Sequence, residues 1–381
     1  MSKANSTHHI YFPYLDVVRF IAAFLIVIVH GYEAWTGWYG EIGFLTIGDY
    51  RTLTPMGEFI DQAILNLSVG VDIFFLLSGF LITYILLKEK EAFGKINVKY
   101  FIIRRTFRIW PLYFLIITIA PFAADWVGRE QPDFIPNLLF LGNFHAINTQ
   151  EWQYPFAHFW SICVEEHFYL LWPFFIQWIP KKRLLHFFGA LIVFSIAFRM
   201  YAFSCMENSW YVIYTHTLSR MDVLVIGAIG AYFYAKKPFE FKLNPLVRKG
   251  IWLALILVLG MSAFGLWDTI YKAGFKKFVS LILIVVLMLD YNFNSSFSHS
   301  LKKKSFVHYL GKVSYGIYMY HNVLLLIIVK QVMWPLGSGN MYLFWGVYVA
   351  LTLGISILSF EVFEKHVLKL NKRFRLVKTD R

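Results

Sequence analysis

The sequence predicts an all-α fold, a polytopic membrane bundle of about ten transmembrane helices with both termini cytoplasmic. Three observations predict it. Hydrophobic residues fill 58% of the 381 positions and aromatic residues 20%, while only 15% are charged. Soluble domains carry more charge and fewer aromatic rings. The apolar residues gather in runs of about twenty, the length that crosses a bilayer as helix. Basic residues, finally, alternate along the connecting segments, rich in one set and sparse in the other.

The spans fall at about 13–34, 63–87, 109–127, 157–179, 184–204, 216–235, 250–267, 275–290, 313–331 and 341–362. The N-terminus, 88–108, 180–183, 236–249, 291–312 and 363–381 hold 27 of the 36 lysines and arginines. By the positive-inside rule that set is cytoplasmic. The formal charge of +13 is therefore a signal of topology, and no nucleic-acid partner is expected. No short apolar region with a small-residue cleavage site is visible, so the first helix is expected to stay as an uncleaved anchor. Residues 1–381 read as one integral-membrane domain, with the basic tail 363–381 lying against the headgroups of membrane lipids. Cys163 and Cys205 have no metal-ligand spacing and form no disulfide framework.

Two outward segments, 35–62 and 128–156, are longer than the rest, and FIPNLLFLGNF in the second suits a short interfacial helix. Trp35, Trp38, Tyr39, Trp152, Tyr154, Trp210 and Tyr211 gather on the outward side. They read either as an interfacial aromatic belt or as a stacking platform for a sugar acceptor.

Within the first span, Arg19 and His30 are eleven residues apart. At about 100° per residue eleven steps return to nearly the same helix face, roughly 16 Å further along. Ionisable groups in such helices face a protein interior or a wet cavity, because lipid penalises them. Histidine also suits removal of a hydroxyl proton near neutral pH. At the cytoplasmic entrance to the third span, KYFIIRRTFRIWPLY places Arg104, Arg105 and Arg108 where they can share a helix face. Arginine's planar fork binds phosphate, and a helix N-terminus would add its own partial charge. The plainer reading is that these arginines hold topology or bind lipid phosphate.

In the fourth span, HFWSICVEEHFYLLWP carries adjacent Glu165 and Glu166, which point about 100° apart, so at least one faces inward. An inward carboxylate orients His30, accepts a proton, holds a sugar hydroxyl, or serves as a buried partner for an arginine such as Arg19. In the ninth span SYGIYMYHNV supplies Ser314, Tyr315, Tyr318, Tyr320, His321 and Asn322; His321 is either a ligand contact or a hydrogen-bonded packing residue. In GVDIFFLLSGF, close helix packing accounts for Ser78 and Gly79, whereas Asp72 stands out as a charge. HExxH, P-loop, GxSxG and GxGxxG patterns are absent, so nothing favours a hydrolase, an ATPase or a nicotinamide enzyme. No metal is expected.

The blocks YLDVVRFIAAFLIVIVHG, GVDIFFLLSGFLIT, FIIRRTFRIWPLY, FWSICVEEHFYLLWP and SYGIYMYH, in this order over about 13–322, resemble the acyltransferase 3 family of bacterial integral-membrane acyltransferases. The family's arginine and histidine separated by ten residues correspond to Arg19 and His30. Its Arg-x-x-Arg falls on Arg105 and Arg108, the glutamate of its tryptophan-serine-leucine motif on Glu165, and its late tyrosine-rich histidine motif on His321. Ile162 stands where leucine is usual and His167 where glutamine is common. Glu364, Lys365 and His366 replace the usual terminal glutamate-lysine-proline, which leaves the end of the last helix open. Some relatives carry a C-terminal esterase-like domain; none is expected here, so the chain acts alone or with a separate periplasmic transfer partner.

The resemblance implies an O-acyltransferase of the bacterial cytoplasmic (inner) membrane. It would move an acyl group, most often acetyl, from cytoplasmic acyl-CoA to a hydroxyl of an extracytoplasmic glycan or glycan-like saccharide acceptor. Acetyl-CoA is then the co-substrate. Arg105 and Arg108, with Arg104 and Arg19, would grip its phosphates. His30 would act as general base, oriented or steadied by Glu165, with an acyl-histidine intermediate as the competing course. Asp72, Glu166, Tyr318 and His321 are supporting candidates. The alternative is a transporter or exporter of a sugar-linked or anionic small molecule, since buried charges among ten helices also describe carriers. Two similar halves with paired broken helices, frequent in carriers, are not found in the sequence.

Overall fold

The computed structural model describes residues 12–36, 55–128, 131–207, 209–236, 241–260, 270–293, 305–333 and 340–374. Trp38, Tyr39, the end of the seventh predicted span and the last residues of the tail lie outside them. The described chain is helical, with no strand among the described residues. A helix lies on each predicted span: α1 Pro13–Thr36, α2 Val69–Phe93, α3 Val98–Trp126, α4 Trp160–Trp178, α5 Leu184–Cys205, α6 Thr217–Lys236, α7 Pro245–Gly260, α8 Ile270–Phe293, α9 Phe306–Ile327 and α10 Met341–Ser359. Among the described residues, seven helical stretches, those carrying α1, α2, α3, α5, α6, α9 and α10, are long and apolar enough to cross a membrane. The chain is thus a multi-pass membrane protein.

Two boundaries differ from the sequence reading in ways that matter for the site. Helix α3 starts at Val98, eleven residues before the predicted span. Gly94 leaves α2 in the left-handed region at φ 71°, and the Asn97 side chain then caps α3 by accepting from the Tyr100 N–H at 3.0 Å. Arg104, Arg105 and Arg108 consequently sit in the second and third turns of α3. The N-terminal partial charge expected to reinforce them is felt mainly in the first turn, so it falls away as an argument. The last helix, for its part, passes through a π-helical turn at Phe360–Glu364 and resumes as Lys365–Leu370. Glu364 is thereby turned inward and buried. Segment 128–156 holds two short helices, Ile135–Leu138 and Gly142–Thr149, where one was expected.

Helices α1, α2, α6 and α9 form the heart of the bundle, with α2 laid on α6 and α1 on α9. Small residues set the first of these contacts. A Cβ built on Gly79 would lie 1.8 Å from the Leu224 carbonyl oxygen, and one on Gly227 would lie 2.1 Å from that of Leu76. Backbones this close leave room only for hydrogen, the usual device of membrane helix pairs. Gly227→Ala is therefore expected to force α2 and α6 apart and destabilise the bundle by about 1–3 kcal/mol or more, read as a lower melting temperature in detergent. The flank is aromatic: Trp172 of α4 stacks on Phe168 at 4.5 Å and on Phe188 of α5 at 5.5 Å. Its indole N–H donates to Thr83 Oγ1 of α2 at 2.7 Å, so the buried donor is satisfied.

Candidate functional site: an arginine-lined cavity and an imidazole cluster

Between α1, α2, α3, α4 and α9 lies a partly open cavity of about 100 Å³. Arg19 lines it from α1, Ser78 from α2, Arg105 and Arg108 from α3, Glu165 and Tyr169 from α4, and Ser314, Tyr315 and Tyr318 from α9. Five separate stretches of sequence thus bring their polar groups to one interior space. Arg19 is held by Asp16, one turn before it, at 2.7 Å. The Arg105 guanidinium lies over the rings of Phe101 and Tyr169, 5.8 Å from each centroid, and its buried Nε has no hydrogen-bond partner. Arg108 lies 5.9 Å over the ring of Tyr315. Neither Arg105 nor Arg108 has an ion pair among the described residues, although Glu364 lies near Arg108. Two cations inside a bundle, resting on aromatic faces without a carboxylate salt bridge, favour an anion brought from outside.

Arg104 does not share their fate. One residue earlier, it turns out of the cavity to Glu89 of α2 at 2.9 Å and to the Phe374 carbonyl at 2.8 Å. Glu89 is fully buried, and it also accepts from the Asn97 N–H at 2.6 Å. The expected three-arginine cluster is therefore two cavity arginines and one structural one, separated by the 100° turn between neighbours. Arg104→Ala would strand the Glu89 carboxylate and is expected to cost about 3–5 kcal/mol. Its signature is a lowered melting temperature that Glu89→Gln in the same chain partly restores.

The two glutamates of α4 both find partners, in the diverging directions their adjacency dictates. Glu165 accepts from Ser78 Oγ at 2.7 Å and from the Tyr169 hydroxyl at 2.8 Å inside the cavity. Glu166 accepts from the Trp110 indole N–H of α3 at 3.0 Å. Ser78 thus belongs to the cavity wall, whereas Gly79 alone serves the helix contact. Glu165 does not touch His30, so the expected role of orienting that imidazole falls to other groups. Asp72 likewise lies outside the cavity: it pairs with Arg220 at 3.1 Å and Lys277 at 3.0 Å, beside the Arg199–Asp222 pair at 2.7 Å. Asp72 is one member of a buried ionic network joining α2, α5, α6 and α8.

His30 stands beyond the end of the cavity in a cluster of imidazoles. Its ring meets that of His321 at 5.1 Å, and His321 meets His158 at 4.8 Å. The Asn322 side chain lies between the outer two, with Nδ2 3.0 Å from His158 Nδ1, and it also hydrogen-bonds His30. Glu33, one turn along α1, is 3.9 Å from His30 Nδ1. The His321 Nδ1–H donates to the Tyr318 carbonyl at 2.5 Å, which aims its unpartnered Nε2 into the cluster. His158, Glu33 and Asn322 were not assigned site roles from the sequence. His158 opens the fourth-span block and sits in the 3₁₀ turn Ala157–Phe159 before α4. Glu33 and Asn322 did carry a signal, since one is three residues from His30 and the other adjoins His321.

Tyr318 separates the two halves. Its ring packs on Phe74 of the cavity wall at 5.7 Å, and on His158 and His321 at 5.3 and 5.5 Å on the other side. Its hydroxyl is 2.6 Å from Ser161 Oγ and donates to the His158 carbonyl at 2.9 Å. Arg19 and His30 do occupy the same side of α1, one opening on the cavity and the other behind this partition.

Fold and site together define a multi-pass helical membrane protein with a cationic interior cavity beside a histidine cluster. The comparisons add the family: an acyltransferase-domain profile matches residues 12–361, and the chain belongs to the acyltransferase 3 family. Among its relatives, a Staphylococcus aureus (strain COL) protein named "Putative O-acetyltransferase" is 27% identical over 336 residues, covering 82% of this chain and 50% of the relative. The O-acetyltransferase OatA of Staphylococcus aureus (strain NCTC 8325 / PS 47) is 26% identical over 339 residues, with the same coverage. The chain thus spans about half the length of the curated relatives it matches. No solved structure matches it significantly.

Proposed function

We propose that this protein is a transmembrane O-acyltransferase that moves acetyl from cytoplasmic acetyl-CoA to a hydroxyl of an extracytoplasmic saccharide. The observation that carries the donor half is the pair Arg105 and Arg108, cations that line the cavity without a salt bridge among the described residues. Their forks suit the phosphates of coenzyme A, with Arg19 a third cation on the same wall. Family membership and the relatives' names support acetyl as the group transferred. The proposed arrangement is ten spans with both termini cytoplasmic, in a bacterial cytoplasmic membrane. It is supported by the alternation of basic segments and by a helix on each predicted span.

In the reaction the acceptor oxygen forms the ester bond as the thioester C–S bond breaks. His30 takes the hydroxyl proton as general base and passes it on to the departing thiolate. Glu33, closer to His30 than any cavity carboxylate, steadies the imidazolium, while Asn322 fixes the ring. Glu165, held by Ser78 and Tyr169, shapes the donor cavity. The membrane domain reaches its acceptor directly or through a separate periplasmic partner.

Incubating membranes that contain the protein with acetyl-labelled acetyl-CoA tests this reading. Label is expected in a saccharide ester that mild alkali releases. A carrier would leave the label in acetyl-CoA, and that result would overturn the proposal.

A further inference from the structure

The cavity and the imidazoles form one reaction site only if something between them yields. A thioester resting against Arg105 and Arg108 meets, at the end of the cavity, the ring of Tyr318 and the hydroxyl of Ser161. His30, His158 and His321 are on the far side. The partition is one side chain thick, and Tyr318 is only 6% exposed. Its side-chain hydrogen bonds are both made by the hydroxyl, to Ser161 Oγ and the His158 carbonyl. Both pins come from the short stretch that enters α4, and His158 itself belongs to the imidazole cluster. A movement of His158 on meeting an acceptor would therefore be felt at the Tyr318 hydroxyl.

We infer that Tyr318, pinned by Ser161 and the His158 carbonyl, determines whether the acyl group goes to an alcohol or to water. The inference rests on the acyl-CoA reading of the cavity. With the pins in place, the thioester carbonyl is walled off from the imidazoles and from water entering on their side. When an acceptor engages the cluster, the pins release, the ring swings aside and the thioester reaches His30. The acceptor oxygen then forms the new C–O bond, the C–S bond breaks and the hydroxyl proton ends on the coenzyme A thiol. If the wall opens without an acceptor, water takes the acceptor's place and the same bond changes give acetate and free coenzyme A. Tyr318 is thus a positioning residue, distinct from the groups that bind phosphate and the group that moves the proton.

Tyr318→Phe tests this, because it keeps the ring and removes only the hydroxyl that holds it. The full chain in proteoliposomes is given acetyl-labelled acetyl-CoA with no acceptor, and released acetate is measured beside acetyl-CoA affinity. The wild type is expected to release little acetate, and Tyr318→Phe about tenfold more, as loss of two buried hydrogen bonds favours the open state. Acetyl-CoA affinity is measured on the same samples so that acetate release is compared at equal donor occupancy. Ser161→Ala, which removes one pin, shifts acetate release in the same direction by less. Acetate release by Tyr318→Phe at the wild-type rate, with acetyl-CoA still bound, overturns the inference and leaves the donor site standing. Failure of the wild type to bind acetyl-CoA overturns the donor reading instead.

Discussion

Arg105→Ala and Arg108→Ala are each expected to weaken acetyl-CoA binding by about 10- to 100-fold, since a hydrogen bond to a charged group is worth about 1.5–3 kcal/mol. In the free protein each guanidinium rests on aromatic rings, and none has a carboxylate in salt-bridge contact among the described residues. Its removal breaks no salt bridge among the described residues, so the variants are expected to stay folded with melting temperatures near that of the wild type. Arg104→Ala supplies the contrast, because that arginine holds buried Glu89 and its loss damages the fold. Lysine at 105 or 108 restores charge without the planar fork and is expected to recover only part of the affinity. Equilibrium titration of acetyl-CoA into the purified protein checks the four variants at positions 105 and 108, and unchanged affinity in both alanine variants there would remove the donor assignment.

His30→Ala is expected to lower acetyl transfer by about 10²- to 10⁴-fold, the range that general-base catalysis supplies. Acetyl-CoA affinity should hold, because His30 does not line the cavity. That split separates a chemical role from a binding one. A pure packing role would show the reverse: a lowered melting temperature with transfer falling only as far as the folded fraction does. Labelled transfer to saccharide in membranes, normalised to folded protein, decides between them.

Much of the bundle was legible because membrane helices announce themselves by length and apolarity alone. The α3 boundary was not. Arg104, Arg105 and Arg108 read as a cytoplasmic entrance, whereas Asn97 caps the helix ahead of them, Arg105 and Arg108 turn into the cavity and Arg104 turns to Glu89. Helical period put Arg19 and His30 on one face and sent Glu165 and Glu166 apart, since both follow from angles within one helix. It had no means of finding Tyr318 between the two halves, because that wall depends on how α9 meets α4. For the same reason it matched Glu165 to His30, when Ser78 and Tyr169 claim the carboxylate through contacts 87 and 4 residues away in sequence. Asp72 was marked as a lone charge, and its partners lie on α6 and α8. Spacing reveals which face a residue occupies; the neighbour on that face comes from packing between helices.

A density map of the protein bound to acetyl-CoA would test the two-part site most directly. The expected map places the phosphates of coenzyme A at Arg105 and Arg108, with the thioester against Tyr318. Phosphates bound elsewhere, or a thioester pointing away from that tyrosine and from His30, would contradict it.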